Sequence, residues 1–144
     1  MQKFSTLSDA IALAEFAHRN QFDMAGLTYI EHPKRVLATV QAAAVLHDVL
    51  EDTPFTADML QKLGFSEAIV RLVVLLTRTA ESPESYYAKI AENPDARLIK
   101  LADIQDNLQE WRLSYLAPET QVRLREKYHK ASEALHGTGY RLSK

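Results

Sequence analysis

Apolar residues recur at helical spacing along most of this chain, and no segment sustains the two-residue alternation of a half-buried strand. Leu7, Ala10, Ile11, Ala14 and Ala17 share one face of a first helix, and Ile69, Leu72, Val73 and Leu76 share one face of another. A weaker stripe, Leu124, Tyr128, Ala131 and Leu135, runs near the carboxyl end. A chain patterned this way buries its stripes by packing helix on helix. The punctuation agrees. Pro33, Pro83 and Pro118 suit first helical turns, where a missing N–H has no helical partner to lose. Thr56, Ser66 and Ser82 suit N-caps, Gly64 suits the residue after a helix end, and Pro54 and Pro94 stop the helices before them. The spacing predicts helices near 6–20, 33–40, 42–52, 56–63, 66–77, 83–92, 95–110 and 118–136, an all-α single domain over 1–144.

The bulk numbers exclude several classes. A length of 144 residues with 47% apolar and 25% charged residues suits one hydrophobic core rather than disorder. The absence of cysteine removes disulfides and thiolate-held zinc. A net charge of −2 argues against a dedicated nucleic-acid binder, though not against a small anionic ligand, for which a few local cations suffice. The most apolar run, Ile69 to Leu76, is interrupted by Arg71 and far short of a membrane span. The amino-terminal stretch does not resemble a signal peptide. The expectation is a soluble, cytoplasmic protein with no membrane or nucleic-acid partner, its oligomeric state unread.

Chemistry concentrates in Ala44-Val45-Leu46-His47-Asp48-Val49-Leu50-Glu51-Asp52-Thr53. On a helix Glu51 lies one turn from His47, and Asp52 one turn from Asp48. Asp48, Glu51 and Asp52 repel one another on a mostly apolar segment, and a cation offsets that repulsion; the plainer reading is an exposed acidic helix end. Two further pieces weigh against the plainer reading. Leu98-Ile99-Lys100-Leu101-Ala102-Asp103 sets a carboxylate beside an apolar face, with Asn107 one turn on, and Tyr29-Ile30-Glu31-His32-Pro33 sets an imidazole at a helix start. Two imidazoles and two carboxylates make a mixed nitrogen and oxygen donor set that suits Mn, Fe, Co, Ni or Zn better than Ca or Mg. Lone histidines such as His18 and His129 read as structural. His32 and His47 carry a geometric condition. They are fifteen residues apart, which one unbroken helix stretches to about 22 Å, whereas ligands sit about 2 Å from their metal. Both can bind one metal only if the chain reverses between them, and the break is expected near Thr39-Val40-Gln41.

His32, the His47-Asp48 dyad and Asp103 resemble the H…HD…D signature of the HD superfamily of metal-dependent phosphohydrolases. The wider match is to the alarmone-hydrolase branch, the RelA/SpoT hydrolase domain and its small stand-alone relatives. It runs through Ala17-His18-Arg19-Asn20-Gln21, Ala25-Gly26, Tyr29 to Pro33, Val45 to Thr53, Leu75-Leu76-Thr77-Arg78 and Lys100-Leu101-Ala102-Asp103, about residues 9–113 in the family's order. The carboxyl-terminal helix and tail lie beyond it. The resemblance implies an HD-type helical bundle with one divalent metal, most often Mn2+, on His32, His47, Asp48 and Asp103. Glu51 and Asp52 match the acidic pair that assists hydrolysis, by taking a proton from water or orienting it. Asn107, with Arg19, Tyr29 and Lys100, is a candidate substrate contact.

Two departures stand out. Asp23 and Met24 occupy the place of a basic Arg-Lys pair that helps hold the nucleotide, and Ile104 to Asn107 lacks the arginine and histidine of the family's Ala-Asp-Arg-x-His-Asn string. Arg19, Lys34, Arg35, Lys100 and Arg112 are the candidate replacement cations. The implied activity is hydrolysis of a small nucleotide, with guanosine 3′,5′-bis(diphosphate) 3′-pyrophosphohydrolysis the reaction of the branch. The alternative is a metal-containing module that senses or binds a nucleotide without turnover. Trp111, Tyr86 and Tyr87 read as packing residues, and Arg123 to Lys130 as a solvated face with local ion pairs.

Overall fold

The computed structural model describes residues 6–136. They form nine helices: α1 (Leu7–Ala17), α2 (Glu31–Leu46), α3 (Val49–Asp52), α4 (Ala57–Lys62), α5 (Glu67–Leu76), α6 (Pro83–Ala91), α7 (Pro94–Asn107), α8 (Glu110–Leu113) and α9 (Pro118–His136). Among the described residues the only strand-like pairing is an isolated bridge between Phe22 and Thr28. The chain is all-α, as its periodicity demands. The tail after Gly137, expected to fray, lies outside the described residues.

The expected caps are in place. Thr56, Ser66 and Ser82 each accept the backbone N–H three residues on, from Met59, Ile69 and Ser85. Gly64 takes φ +92° after α4, and its N–H and that of Phe65 close on the Gln61 and Leu60 carbonyls, the two bonds that satisfy a helix end. Pro94 stands where the helix before it stops, as expected. It is the first residue of α7, capped by Asn93, and α6 stops just before them.

Two boundaries differ from expectation. The break expected near Thr39-Val40-Gln41 is absent, and α2 runs unbroken to Leu46. Residues 39–44 contain no Gly or Pro and three consecutive alanines, the strongest helix formers. The chain turns at His47-Asp48 instead, where the His47 side chain takes the Ala44 carbonyl at 2.7 Å and Asp48 sits near ψ −4°. The single helix expected over 95–110 is divided between α7 and α8 at Leu108, whose φ and ψ are −92° and 2°.

The residues fall into two compact units, Met1–Gln41 and Ala42–Lys144. Among the described residues of the first, Ile30 is the only buried apolar one, and α1 buries none of its side chains. The stripe Leu7, Ala10, Ile11, Ala14 and Ala17, expected to share one helix face, is only partly covered: Ile11 and Ala14 are half-buried, and Leu7, Ala10 and Ala17 are exposed. Asp23 organises that loop. Its carboxylate accepts the N–H groups of Ala25 and Leu27, both at 2.9 Å, and Gly26 turns the chain at φ +78°.

The second unit holds the core. Val70, Leu72, Val73 and Leu76 of α5 meet Tyr86 and Ile90 of α6, Ala96, Ile99 and Ile104 of α7, and Ala131 and Leu135 of α9, all buried. Helix α6 packs on α7 and α9, and α5 on α3, α4 and α7. Ile90, fully buried where these helices meet, reports on the core. Ile90→Ala is expected to cost about 2–5 kcal/mol, read as a lower urea midpoint with an unchanged slope.

Candidate active site

The turn that ends α2 leaves His47 poised. Its Nδ1 donates to the Ala44 carbonyl at 2.7 Å, which fixes the tautomer and leaves the Nε2 lone pair pointing inward. Nε2 is buried, yet neither neighbouring carboxylate meets it with hydrogen-bond geometry: Asp48 Oδ2 is 3.1 Å away and Asp103 Oδ1 3.7 Å away. A buried polar atom without a partner costs free energy unless something fills the gap. An imidazole nitrogen facing two carboxylates is the donor chemistry of a divalent cation. The Asp103 carboxylate, with burial opposing it, already raises the His47 pKa, so the group shows the same demand for positive charge.

Helix α7 supplies the rest. Burial by itself pushes Asp103 up, but His47 and Lys100 together outweigh it and hold the carboxyl at about 2. Lys100 Nζ donates to Asp103 Oδ2 at 2.8 Å, and Asn107 Nδ2 to Oδ1 at 2.7 Å. Spaced one turn either side of Asp103, Lys100 and Asn107 fix its orientation, as outer partners of a metal-binding carboxylate do. Both were expected to touch substrate; both touch Asp103.

Glu51 lies on α3, which packs against α5. Its Oε2 accepts the backbone N–H of Arg78 at 3.0 Å, just past the end of α5. Asp52, the last residue of α3, is exposed beside it. Arg78 then extends the site. Its guanidinium carbon lies 5.3 Å from the centre of the Tyr86 ring, and Lys100 Nζ lies 5.8 Å from the same ring. Tyr86 is pinned in turn by its hydroxyl, which donates to the Leu76 carbonyl at 2.5 Å.

Arg78 also lines a cavity of about 370 Å³, with Lys127 and Lys130 of α9 on its rim and Pro83, Tyr87 and Ala131 supplying apolar wall. Its one carboxylate is Glu84. The Lys127 pKa is lowered, by burial first and then by Arg78 and Lys100, so three cations share one electrostatic neighbourhood that also feels Asp103 and Glu51. Sequence reasoning missed Arg78 and Lys127. Arg78 stood in a matching string without a role, and the run from Arg123 to Lys130 is only partly the solvated face expected. Arg125 reaches Glu110 on α8 through two hydrogen bonds, and Lys127 and Lys130 line the cavity.

The other candidates are occupied elsewhere. Arg19 donates to the Phe16 carbonyl at 2.8 Å and covers the Phe16 ring, and Lys34 pairs with Glu15 at 2.5 Å, both within the first unit. Arg112 is paired with Asp106. Tyr29 lies tilted against two imidazoles, its ring centre 4.9 Å from that of His18 and 6.5 Å from that of His32. The structure brings His47, Asp48 and Asp103 together in the second unit; His32 belongs to the first, at the second residue of α2.

The all-helical chain gathers a histidine–aspartate dyad and a distant aspartate around one imidazole nitrogen, the residue types that the resemblance to HD-type hydrolases implies. No family model matches the chain. Its relatives are informative. It is 31% identical to human MESH1, a guanosine-3′,5′-bis(diphosphate) 3′-pyrophosphohydrolase, over 92% of this chain and 86% of that protein. It is 31% identical to the protein of the same enzymatic name from Spiroplasma citri, over 96% of this chain, and 35% identical to that from Haemophilus influenzae, over 78%. It spans about a fifth of the length of these two longer relatives. A solved structure, of a metazoan ortholog of SpoT that hydrolyzes ppGpp, superposes with a TM-score of 0.50 at 26% identity, covering 93% of this chain and 86% of that one. The chain belongs to the family of guanosine-3′,5′-bis(diphosphate) 3′-pyrophosphohydrolases that includes MESH1. Among the described residues no helix is long and apolar enough to cross a membrane.

Proposed function

We propose that this chain hydrolyses a small guanosine polyphosphate at its 3′ end, releasing pyrophosphate, with a divalent metal held by His47, Asp48 and Asp103. The observation that carries the reading is His47 Nε2: buried, unbonded, its tautomer fixed from behind, and facing two carboxylates. Mn2+ is the ion that the resemblance to the alarmone hydrolases implies; the donor set of imidazole and carboxylate suits Mn, Fe, Co, Ni or Zn alike. When bound, a divalent ion supplies Lewis acidity, polarising water and phosphoryl oxygens.

The chain's own groups do the rest. Glu51, one Oε held by the Arg78 N–H, presents the other to receive a proton from water, and Asp52 beside it supports that charge. Arg78, Lys127 and Lys130 hold the substrate's anionic groups in the cavity, which accommodates a nucleotide-sized ligand. These cations answer the departure at Asp23 and Met24. There Asp23 is committed to holding a turn, and the positive charge stands on α9 and at the end of α5. Lys127→Ala is expected to raise KM about tenfold, the worth of one charge-assisted hydrogen bond, with kcat nearly unchanged, measured by steady-state pyrophosphate release.

The test of the reading as a whole is pyrophosphate and phosphate release from a panel of nucleotides with Mn2+, against the same protein in chelator. Metal-dependent release from guanosine 3′,5′-bis(diphosphate) is expected. Release only from another nucleotide overturns the substrate and keeps the mechanism. Binding without release, by Mn2+-loaded protein, establishes the sensing module in its place.

A further inference from the structure

We propose that the cavity lined by Arg78, Lys127 and Lys130 seats the outer phosphate of the substrate's 3′-pyrophosphoryl group, and so tells a 3′-pyrophosphate from a 3′-monophosphate. The inference rests on the hydrolase reading above and assigns which of the substrate's anionic groups this cavity takes.

The position of the general base carries it. Glu51 Oε2 accepts the backbone N–H of Arg78 at 3.0 Å, so the residue that holds the base also lines the cavity. All of these residues belong to the second unit. In the reaction, a water oxygen bonds to the phosphorus nearest the ribose as the bond from that phosphorus to the 3′-oxygen breaks. Glu51 takes a proton from the water, the 3′-oxygen gains one, and pyrophosphate leaves. The attacking and leaving oxygens stand roughly in line, on opposite sides of the phosphorus. Groups beside Glu51 therefore lie on the face away from the 3′-oxygen, and away from the ribose that carries the 5′-phosphates. The outer phosphate, one P–O–P bridge from the reacting phosphorus, is the anionic group within reach of that face.

The cavity's charge fits one such phosphate. Lys127, Lys130, Ala131 and Ala134 follow the spacing of one face of α9. Pro83, Glu84 and Tyr87 come from the first turns of α6, which packs on α9, and Arg78 from the segment after α5. Among the described residues that line it, three cations against the one carboxylate of Glu84 leave two net positive charges. A terminal phosphate carries about −2 near neutral pH. The apolar wall between the charges strengthens their hold on it.

Two of the cations are prepared for an anion. The Arg78 guanidinium lies 5.3 Å from the centre of the buried Tyr86 ring, and the Tyr86 hydroxyl is anchored on the Leu76 carbonyl. A cation already held loses less freedom when its partner arrives. Burial, then Arg78 and Lys100, disfavour the charge on Lys127, and an anion in the cavity relieves that repulsion.

Two measurements test the assignment. The first is the ratio of kcat/KM for guanosine 3′,5′-bis(diphosphate) to kcat/KM for guanosine 5′-diphosphate 3′-monophosphate, with Mn2+. Wild type is expected to favour the pyrophosphate substrate, and the ratio to fall about tenfold in Lys127→Ala, as loss of one charge-assisted hydrogen bond gives. Lys127→Arg, which keeps the charge, is expected to restore it. Lys127 is exposed, so its removal leaves the core alone. A ratio unchanged in Lys127→Ala assigns the cavity to a group that both nucleotides share, and overturns the inference. The second measurement needs no turnover: calorimetric binding of inorganic pyrophosphate to the chelated protein at fixed salt. Binding about tenfold weaker in Lys127→Ala is expected; equal binding by variant and wild type overturns the inference. Pyrophosphate release from the nucleotide with an unchanged ratio leaves the hydrolase reading standing and ends this one. Pyrophosphate bound through Lys127, with no release from any nucleotide, supports the seat and overturns the hydrolase reading. Neither binding nor release overturns both.

Discussion

Glu51→Gln combined with Asp52→Asn is expected to lower kcat for pyrophosphate release by about 10²–10⁴-fold, the range removed with a positioned general base. Three features make this pair the base rather than a metal-holding group. Glu51 lies four residues after His47, across the turn between α2 and α3, and its carboxylate is turned to the backbone of Arg78. The oxygens that face His47 Nε2 belong to Asp48 and Asp103. The amide variants keep the size of both side chains and remove only the charge and the proton affinity. Mn2+ affinity, read by calorimetry, is therefore expected to change little while kcat collapses. Glutamine at 51 still accepts the Arg78 N–H through its carbonyl, so that contact survives. A variant with wild-type kcat ends the role assigned to the pair. A variant that has lost Mn2+ reassigns the pair to metal binding.

Much of the scaffold was legible because helix ends are local chemistry. Thr56, Ser66, Ser82 and Gly64 act within three or four residues of themselves, and each does in space what its residue type does best. The core stripe of α5 was legible for the same reason: Leu72, Val73 and Leu76 lie on one face of one helix. The end of α2 was not, because no breaker marks it. It depends on a contest for the Ala44 carbonyl that the His47 ring wins, and a functional histidine does not announce itself as a helix terminator. The stripe on α1 misled in the opposite direction. Periodicity says which residues share a face and says nothing of what covers that face.

The candidate site divides along the same line. His47, Asp48, Glu51 and Asp103 were visible as residue types in a recognisable order. The cations were not. Lys127 lies far along the chain from Arg78, and only the packing of α9 on α6 sets it at the same cavity. Asn107 was placed on Asp103's side of the helix, and the structure sets both it and Lys100 against that carboxylate. Spacing of three and four residues brings them to Asp103 before anything else.

His47→Ala has the largest expected effect. It removes the imidazole that faces Asp48 and Asp103. The Lewis acidity lost with the metal is worth several kcal/mol of transition-state stabilisation, roughly 10³-fold or more in kcat/KM. The fold is not expected to follow it down. The His47 Nδ1 bond to Ala44 contributes about 1 kcal/mol, small beside the core of α5, α6, α7 and α9. The two effects separate in one experiment. Wild type melted with Mn2+ gains stability over the chelated protein, because an ion that binds only the folded state shifts the equilibrium by mass action. His47→Ala melts close to chelated wild type and gains little from added Mn2+. If the variant instead gains as much from Mn2+ as wild type does, the ion binds elsewhere and the assignment of His47 fails. If it melts far below the chelated protein, His47 is a structural residue whose unbonded nitrogen has been misread. Only a variant that folds, fails to gain from Mn2+ and fails to turn over substrate fits an imidazole held ready for a metal.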